Sequence, residues 1–196
     1  MALCLIFSSN DSLDLIIKLI ASTVGILGLG KAILEYTRAQ KWKRVEFLAK
    51  EMKEFSNDIH VKRAFLMLDW QSYKIKVFND EIADNEDFYF NDELLKSALV
   101  FHENKKDGIF TKEEALIRLI FDGFLEKLST FQNYIDNRLF GYKDLKPYLI
   151  YYLRIIGDLS NNRKTEDVRK QIWEYIVKYD NFQVIKLLSG YGYKIN

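Results

Sequence analysis

Scarcities bound this 196-residue chain before any motif is sought. It carries one cysteine, Cys4, which closes no internal disulfide and fits a reducing compartment. Two histidines, His60 and His102, beside that lone cysteine leave no ligand cluster for zinc, and no metal or other cofactor is expected. Pro147 is the single proline and there are nine glycines, so little interrupts long helices. Net charge is +1, so no global field gathers nucleic acid, although a local basic patch is not excluded by that sum. No internal repeat or low-complexity tract is visible.

Large apolar side chains are abundant: fourteen Phe, twelve Tyr and three Trp. With 48% hydrophobic and 29% charged residues, the composition is that of a folded chain with ample core material.

The N-terminal region decides the class. Leu13 to Leu34 read LDLIIKLIASTVGILGLGKAIL, and as a helix they reach about 33 Å, against a hydrocarbon core about 30 Å thick. The uninterrupted run, Leu19 to Gly30, falls short of that span. Crossing therefore requires Lys18 to snorkel, to face water in a lumen, or to sit in a thinned bilayer. A buried core helix is the plainer alternative. A cleaved signal peptide is rejected, because Met1 to Leu13 carries only Asp11 as a charge and the apolar segment runs straight into KAILEYTRAQKWKR. Lys31, Arg38, Lys41, Lys43 and Arg44 follow the segment while no Lys or Arg precedes Lys18, which places the C-terminal bulk in the cytoplasm. Tyr36 and Trp42 suit the interfacial level.

Two patterns lie within the segment. Ala21 with Gly25 and Gly28 with Ala32 give the small-xxx-small spacing that lets helix backbones approach closely. Asp11, Asp14, Lys18, Ser22 and Gly25 project into a stripe about 80° wide. Asp14, Lys18, Ser22 and Gly25 are accordingly candidates to face a pore lumen, with chance plus snorkelling as the alternative. Gly25, Gly30 and Lys31 imitate a phosphate-binding loop, but Ala32 stands where a magnesium-binding hydroxyl is needed and no parallel sheet is expected.

The chain divides into an N-terminal segment, residues 1–36, and a helical domain, residues 37–196. Nothing breaks the first helix before Ser56-Asn57-Asp58. Trp42, Val45, Leu48, Ala49, Met52 and Phe55 recur as one apolar face. Arg38, Lys41, Lys43, Arg44, Lys50 and Lys53 form a basic face, suited to lipid headgroups or RNA, or simply to water. Asp58 is positioned to cap a second helix with Val61, Ala64, Phe65 and Leu68 inward. Tyr73 to Phe78 and Asp87 to Phe90 suggest one short hairpin. The seven acidic residues between Asp80 and Glu93 read as a solvated loop, not a metal site.

Helix resumes near Asn91-Asp92 and is expected to reach about Asn104. HENKKDGIFTKEEA imitates a calcium loop, with Asp107, Gly108 and Glu114 in late positions, but Lys105 occupies a ligand position. Thr111 with Glu114 reads better as a capping box. The helix beyond it carries Leu116, Leu119, Ile120, Phe124, Leu128, Phe131 and Ile135 on one face, widened by Ile117, Phe121 and Leu125; so broad a face belongs at the centre of a bundle. Further helices are expected at about Leu145–Asp158, Thr165–Tyr179 and Phe182–Leu188. The fold class is thus mainly α: a transmembrane helix continuing into a helical bundle, with at most one short β-hairpin.

No motif supports a nucleophilic triad, no residue is assigned a catalytic role, and no enzyme activity is expected. EYTRAQKWKRVEFLAKEMKEF, AFLMLDW, IRLIFDGFLEKL and LKPYLIYYLRIIGD together resemble a group of small bacterial membrane-anchored helical proteins. Trp42, Glu46, Phe47, Asp69, Trp70, Phe121, Asp122, Pro147 and Tyr148 carry that likeness. Size, membrane helix and helical domain also resemble the HEPN-like accessory membrane proteins of type VI-B CRISPR systems. That resemblance implies a divergent HEPN-like bundle and a ring-like homo-oligomer forming a pore in the bacterial inner membrane. It further implies a role in antiviral defence beside an RNA-guided RNase. HEPN RNases use Arg-x(4–6)-His, and this chain departs from it: Lys53, Glu54 and Phe55 precede His60 at those spacings, and Leu95, Lys96 and Ser97 precede His102. RNA cleavage is therefore not implied. The other readings are a membrane-tethered helical adaptor and an RNA-binding module using the basic face.

Overall fold

The computed structural model describes residues 2–75, 88–105 and 108–195, and the side chains of 2–12, 73, 75 and 88 are left out of the description. The elements are α1 (Ala2–Asn57), α2 (Ile59–Asp69), β1 (Ser72–Ile75), β2 (Phe88–Asn91), α3 (Asp92–Ala98), α4 (Lys112–Asp136), α5 (Tyr142–Gly157), α6 (Glu166–Lys178) and α7 (Phe182–Gly190). The protein is mainly helical, as its few prolines and glycines led one to expect.

By packing, the chain forms two compact units, Met1–Phe47 and Leu48–Asn196. The division drawn at residue 36 marks a change in hydropathy, whereas this one marks where packing begins. The first unit is helix throughout its described length.

In the second unit, Leu48, Met52 and Phe55 bury one face of the last turns of α1. The apolar face expected from Trp42 to Phe55 is thus divided. Trp42 and Val45 are 73% and 53% exposed, and Ala49 is exposed as well. Asp58 ends α1 and begins α2 by accepting from the His60 and Val61 amides at 2.9 and 3.2 Å, as an N-cap does.

Helix α4 packs against α2, α3 and α7. Leu116, Ile117, Ile120, Phe121, Phe124, Leu125, Leu128 and Phe131 are all buried, each contributing about 1.5–3 kcal/mol if fully removed from water. Leu119, expected on that face, is instead 49% exposed, because the packed neighbours leave that side of the helix uncovered. The capping box is present: Glu114 N–H donates to Thr111 Oγ1 and Thr111 N–H to Glu114 Oε2. Glu114 also accepts from Lys105 Nζ at 2.6 Å and from the Ser97 hydroxyl, so one buried carboxylate ties α3, the following loop and α4 together.

Helix α3 stops at Ala98, short of the expected Asn104. Arg118 takes the carbonyls of Ala98 and Val100, and Gln171 takes that of Leu99, so the chain ends its helix with those acceptors satisfied from other elements. Strands β1 and β2 pair antiparallel, Ser72 opposite Asn91 and Ile75 opposite Phe88. Residues 76–87, including part of the expected hairpin and most of its acidic run, lie outside the described residues, as do residues 106 and 107 of the calcium-loop imitation. The one sheet described is this two-stranded antiparallel ribbon, which offers no parallel crossover for a phosphate-binding loop.

Helices α5, α6 and α7 fall within a few residues of expectation. Arg169, 1% exposed, organises the α5–α6 connection by donating to the carbonyls of Ile155, Leu159, Asn161 and Lys164. Close approach fixes Gly190 in place, since a Cβ there would lie 2.1 Å from the Tyr142 ring.

Candidate functional site

From Leu13 to Leu34 every residue of α1 is exposed. Its large apolar side chains range from Ile33 at 54% to Ile26 at 71% exposure, so burial within this chain accounts for none of that surface. The helix is long and apolar enough to cross a membrane.

Polar groups of this segment find partners within the helix. Lys18 Nζ lies 2.7 Å from Asp14 Oδ2, one turn back. The hydroxyls of Ser22 and Thr23 both donate to the Leu19 carbonyl, at 3.0 and 2.8 Å. Thr37 donates likewise to Leu34 O at 2.9 Å, and Lys31 lies 3.7 Å from Glu35. Each such bond removes part of the penalty that an unsatisfied polar group meets in hydrocarbon.

The structure leaves the small-residue pattern open. A Cβ added at Gly25 or Gly28 would meet nothing within 4 Å, and Ala21 and Ala32 are exposed. On the basic face, Arg38, Lys41, Lys43 and Arg44 are exposed, and no ion pair is found for them among the described residues. Lys50 lies 3.9 Å from Glu54, and Lys53 is exposed. Arg38, Lys41, Trp42 and Val45 line a shallow depression of about 380 Å³. A wide-open indole flanked by unpaired cations is the pairing found at membrane interfaces.

The helical body holds clusters that no motif announced. Arg118 Nη2 donates to the Tyr179 hydroxyl at 2.5 Å, and the same oxygen lies 3.1 Å from His102 Nδ1 and 3.2 Å from the His102 amide nitrogen. The Arg118 guanidinium also stands 4.2 Å from the Phe110 ring centroid. Beside it, Tyr175 donates to Asp122 Oδ1 at 2.6 Å; burial, with that carboxylate, pushes the Tyr175 phenol well above its usual range. These contacts secure the irregular segment after α3. His60, the other histidine, lies against α4, where a Cβ on Gly123 would come within 3.0 Å of its Cγ.

A second cluster joins α2, β1 and the α5–α6 connection. The Tyr151 hydroxyl donates to Asp69 Oδ1, and Arg163 Nε lies 3.8 Å from the same oxygen. Beneath them the Lys164 ammonium, its side chain wholly buried, donates to Trp70 O at 2.6 Å and pairs with Asp92 Oδ1 at 2.5 Å. Burial lowers the Lys164 pKa and raises that of Asp92, each shift opposed by the other member of the pair. Among the described residues no three His, Cys, Asp or Glu side chains converge as metal ligands do.

No protein family, no curated protein and no solved structure matches this chain.

Proposed function

We propose that this chain is a homo-oligomeric membrane effector whose α1 crosses the bilayer once over Leu13–Leu34, with the helical body in the cytoplasm. The observation that carries this reading is the apolar surface of that segment, exposed along its whole length. Twelve large apolar side chains lie there, and moving each out of water is worth about 1.5–3 kcal/mol. Hydrocarbon satisfies that demand without any protein partner. The internal pairing of Asp14 with Lys18, and of Ser22 and Thr23 with Leu19 O, lowers the cost of insertion. Arg38, Lys41, Lys43 and Arg44 support the orientation.

In this proposal the small residues Ala21, Gly25, Gly28 and Ala32 let helices of neighbouring copies approach, and the stripe of Asp14, Lys18, Ser22 and Gly25 lines a pore. The effect on a cell is depolarisation, not catalysis. The resemblance set out above extends this to an accessory role in bacterial antiphage defence beside an RNA-guided RNase. A membrane-tethered adaptor without a conduit is the second reading, and the Asp14–Lys18 pair favours it, since a neutralised charge tolerates lipid. An RNA-binding module using the basic face is the third.

The experiment is ion flux from liposomes containing the full chain, with its assembled mass in detergent. A ring-sized assembly with flux supports the pore. A monomer without flux, still held in the bilayer, selects the adaptor. Salt-sensitive RNA binding through Arg38 to Lys53 would select the third reading.

A further inference from the structure

Between Tyr36 and Val45 the chain carries Arg38, Lys41, Lys43 and Arg44 and no Asp or Glu. Glu35, the nearest carboxylate before them, lies 3.7 Å from Lys31. Lys41, Trp42 and Val45 follow Arg38 at the intervals that share one helix face, and the four line the depression of about 380 Å³. Its walls are of two kinds. Arg38 and Lys41 supply a guanidinium and an ammonium with no ion-pair partner among the described residues, while the Trp42 and Val45 side chains are 73% and 53% exposed. Cations beside open apolar surface call for a ligand that is anionic and apolar at once.

Position along α1 identifies that ligand's source. At a rise of about 1.5 Å per residue, Arg38 lies about 6 Å and Trp42 about 12 Å beyond Leu34, where the apolar span ends. The headgroup layer on each side of the hydrocarbon is about 5–8 Å thick. Helical side chains lean toward the N-terminus, here toward the bilayer, so long ones cover the turn before their own. Arg38 and Lys41 are thereby brought to the depth of lipid phosphates, with Trp42 at the aromatic belt.

We propose that this depression binds the headgroup of an anionic phospholipid, with Arg38 and Lys41 holding its phosphate and Trp42 and Val45 covering its glycerol and first methylenes. The proposal rests on the reading that α1 spans the bilayer. Phosphatidylcholine brings a quaternary ammonium beside its phosphate, which uncompensated cations repel; phosphatidylglycerol brings none. Each Lys or Arg near an anionic surface is worth about fivefold in partition. Contact with RNA phosphates needs the same cations but no apolar floor. Lipid phosphate, moreover, stands beside this turn at all times once α1 is inserted.

The test is tryptophan quenching in the full chain, reconstituted into vesicles of equal phosphatidylcholine and phosphatidylglycerol with one lipid or the other brominated near the head of its acyl chains. Flotation with the vesicles is measured first. Quenching of Trp42, taken as the signal that Trp42→Phe removes, should give a relative association about fivefold or more in favour of phosphatidylglycerol. Arg38→Gln with Lys41→Gln should bring that ratio close to unity. Both side chains are exposed and glutamine sustains a helix, so the double variant keeps its fold. Equal quenching by the two brominated lipids, or a preference undiminished in the double variant, overturns the proposal and leaves the membrane span intact. Loss of the preference on adding millimolar inorganic phosphate assigns the depression to free phosphate and overturns it too. Binding of a labelled oligouridine to the chain in phosphatidylcholine vesicles, lost in the double variant, assigns it to RNA with the same consequence. A chain that fails to float with the vesicles contradicts the span itself, and this proposal with it.

Discussion

The Lys18 ammonium lies 2.7 Å from the Asp14 carboxylate, one helical turn toward the N-terminus. That relationship changes how the charged end of the apolar segment is read. A lone ammonium at the centre of a bilayer costs about 2.5–3.5 kcal/mol on insertion scales. Paired with a carboxylate, and near the end of the span, it costs less.

Asp14→Asn should therefore lower the membrane-integrated fraction of the full chain, because it leaves Lys18 without its partner. The exchange Asp14→Lys with Lys18→Asp keeps the pair and should restore integration close to that of the natural sequence. Carbonate-resistant membrane association measures both. Equal integration of all three would mean that the pair does not assist insertion.

If the stripe lines a pore, Lys18 influences which ions pass. Each copy contributes one ammonium and, 2.7 Å from it, one carboxylate, so an assembly would carry a ring of each close together. Lys18→Glu turns both rings acidic, and reversal potentials under a salt gradient should shift toward cation preference. Lys18→Leu should lower flux by making the stripe apolar. Lys31, about 220° further round the helix, should affect selectivity less. An unchanged reversal potential in Lys18→Glu, with assembly intact, would remove Lys18 from the lumen.

Gly25→Leu and Gly28→Leu should reduce the assembled mass in detergent. Within one chain neither position is crowded, since an added Cβ meets nothing within 4 Å. Any effect must therefore arise between copies, where a bulky side chain separates closely packed helices. Ile26→Leu, of equal volume, is the control. The same mass for all three variants would contradict packing through these small residues.

Glu114 makes the stability of the helical body depend on pH. Burial raises its pKa, but hydrogen bonds from Lys105, Ser97 and the Thr111 amide outweigh that and hold it below the ordinary 4.5. A carboxylate with a depressed folded pKa contributes its full stability above pH 4.5 and loses it as pH falls through the folded value. Thermal melts should thus weaken progressively below about pH 4.5, and Glu114→Gln should flatten that part of the profile. At neutral pH the same substitution should cost about 2 kcal/mol or more, through half of a capping box and a charged partner withdrawn from Lys105. A Glu114→Gln profile parallel to the natural one would refute this assignment.

Much of this architecture was legible because its causes are local. The capping box of Thr111 and Glu114, the Asp58 cap and the broad apolar face of α4 depend on spacings within one or two turns. The departures occurred where distant chain decides. Helix α3 ends early because Arg118 and Gln171, from α4 and α6, take its last carbonyls. Trp42, Val45 and Leu119 share an apolar period with buried neighbours, and periodicity does not say how far the covering surface extends. The Asp14–Lys18 spacing was visible as a polar stripe, and its pairing followed from the same interval. By contrast, His102 and Tyr179 are separated by 77 residues, and Asp69 and Tyr151 by 82, so no local pattern could have announced either cluster. Of the second cluster only Asp69 stands out in the sequence, through the LDW segment that carries the resemblance and not through any spacing.

Whether α1 enters a membrane is decided by salt extraction of the full-length chain. Hydrophobic insertion is not screened by ions, whereas attachment through Arg38, Lys41, Lys43 and Arg44 is. The protein should stay with the membrane fraction through high-salt and alkaline washes and be released only by detergent, while a chain beginning at Lys41 should remain in the soluble fraction. Release of the full-length protein by salt alone would contradict membrane entry.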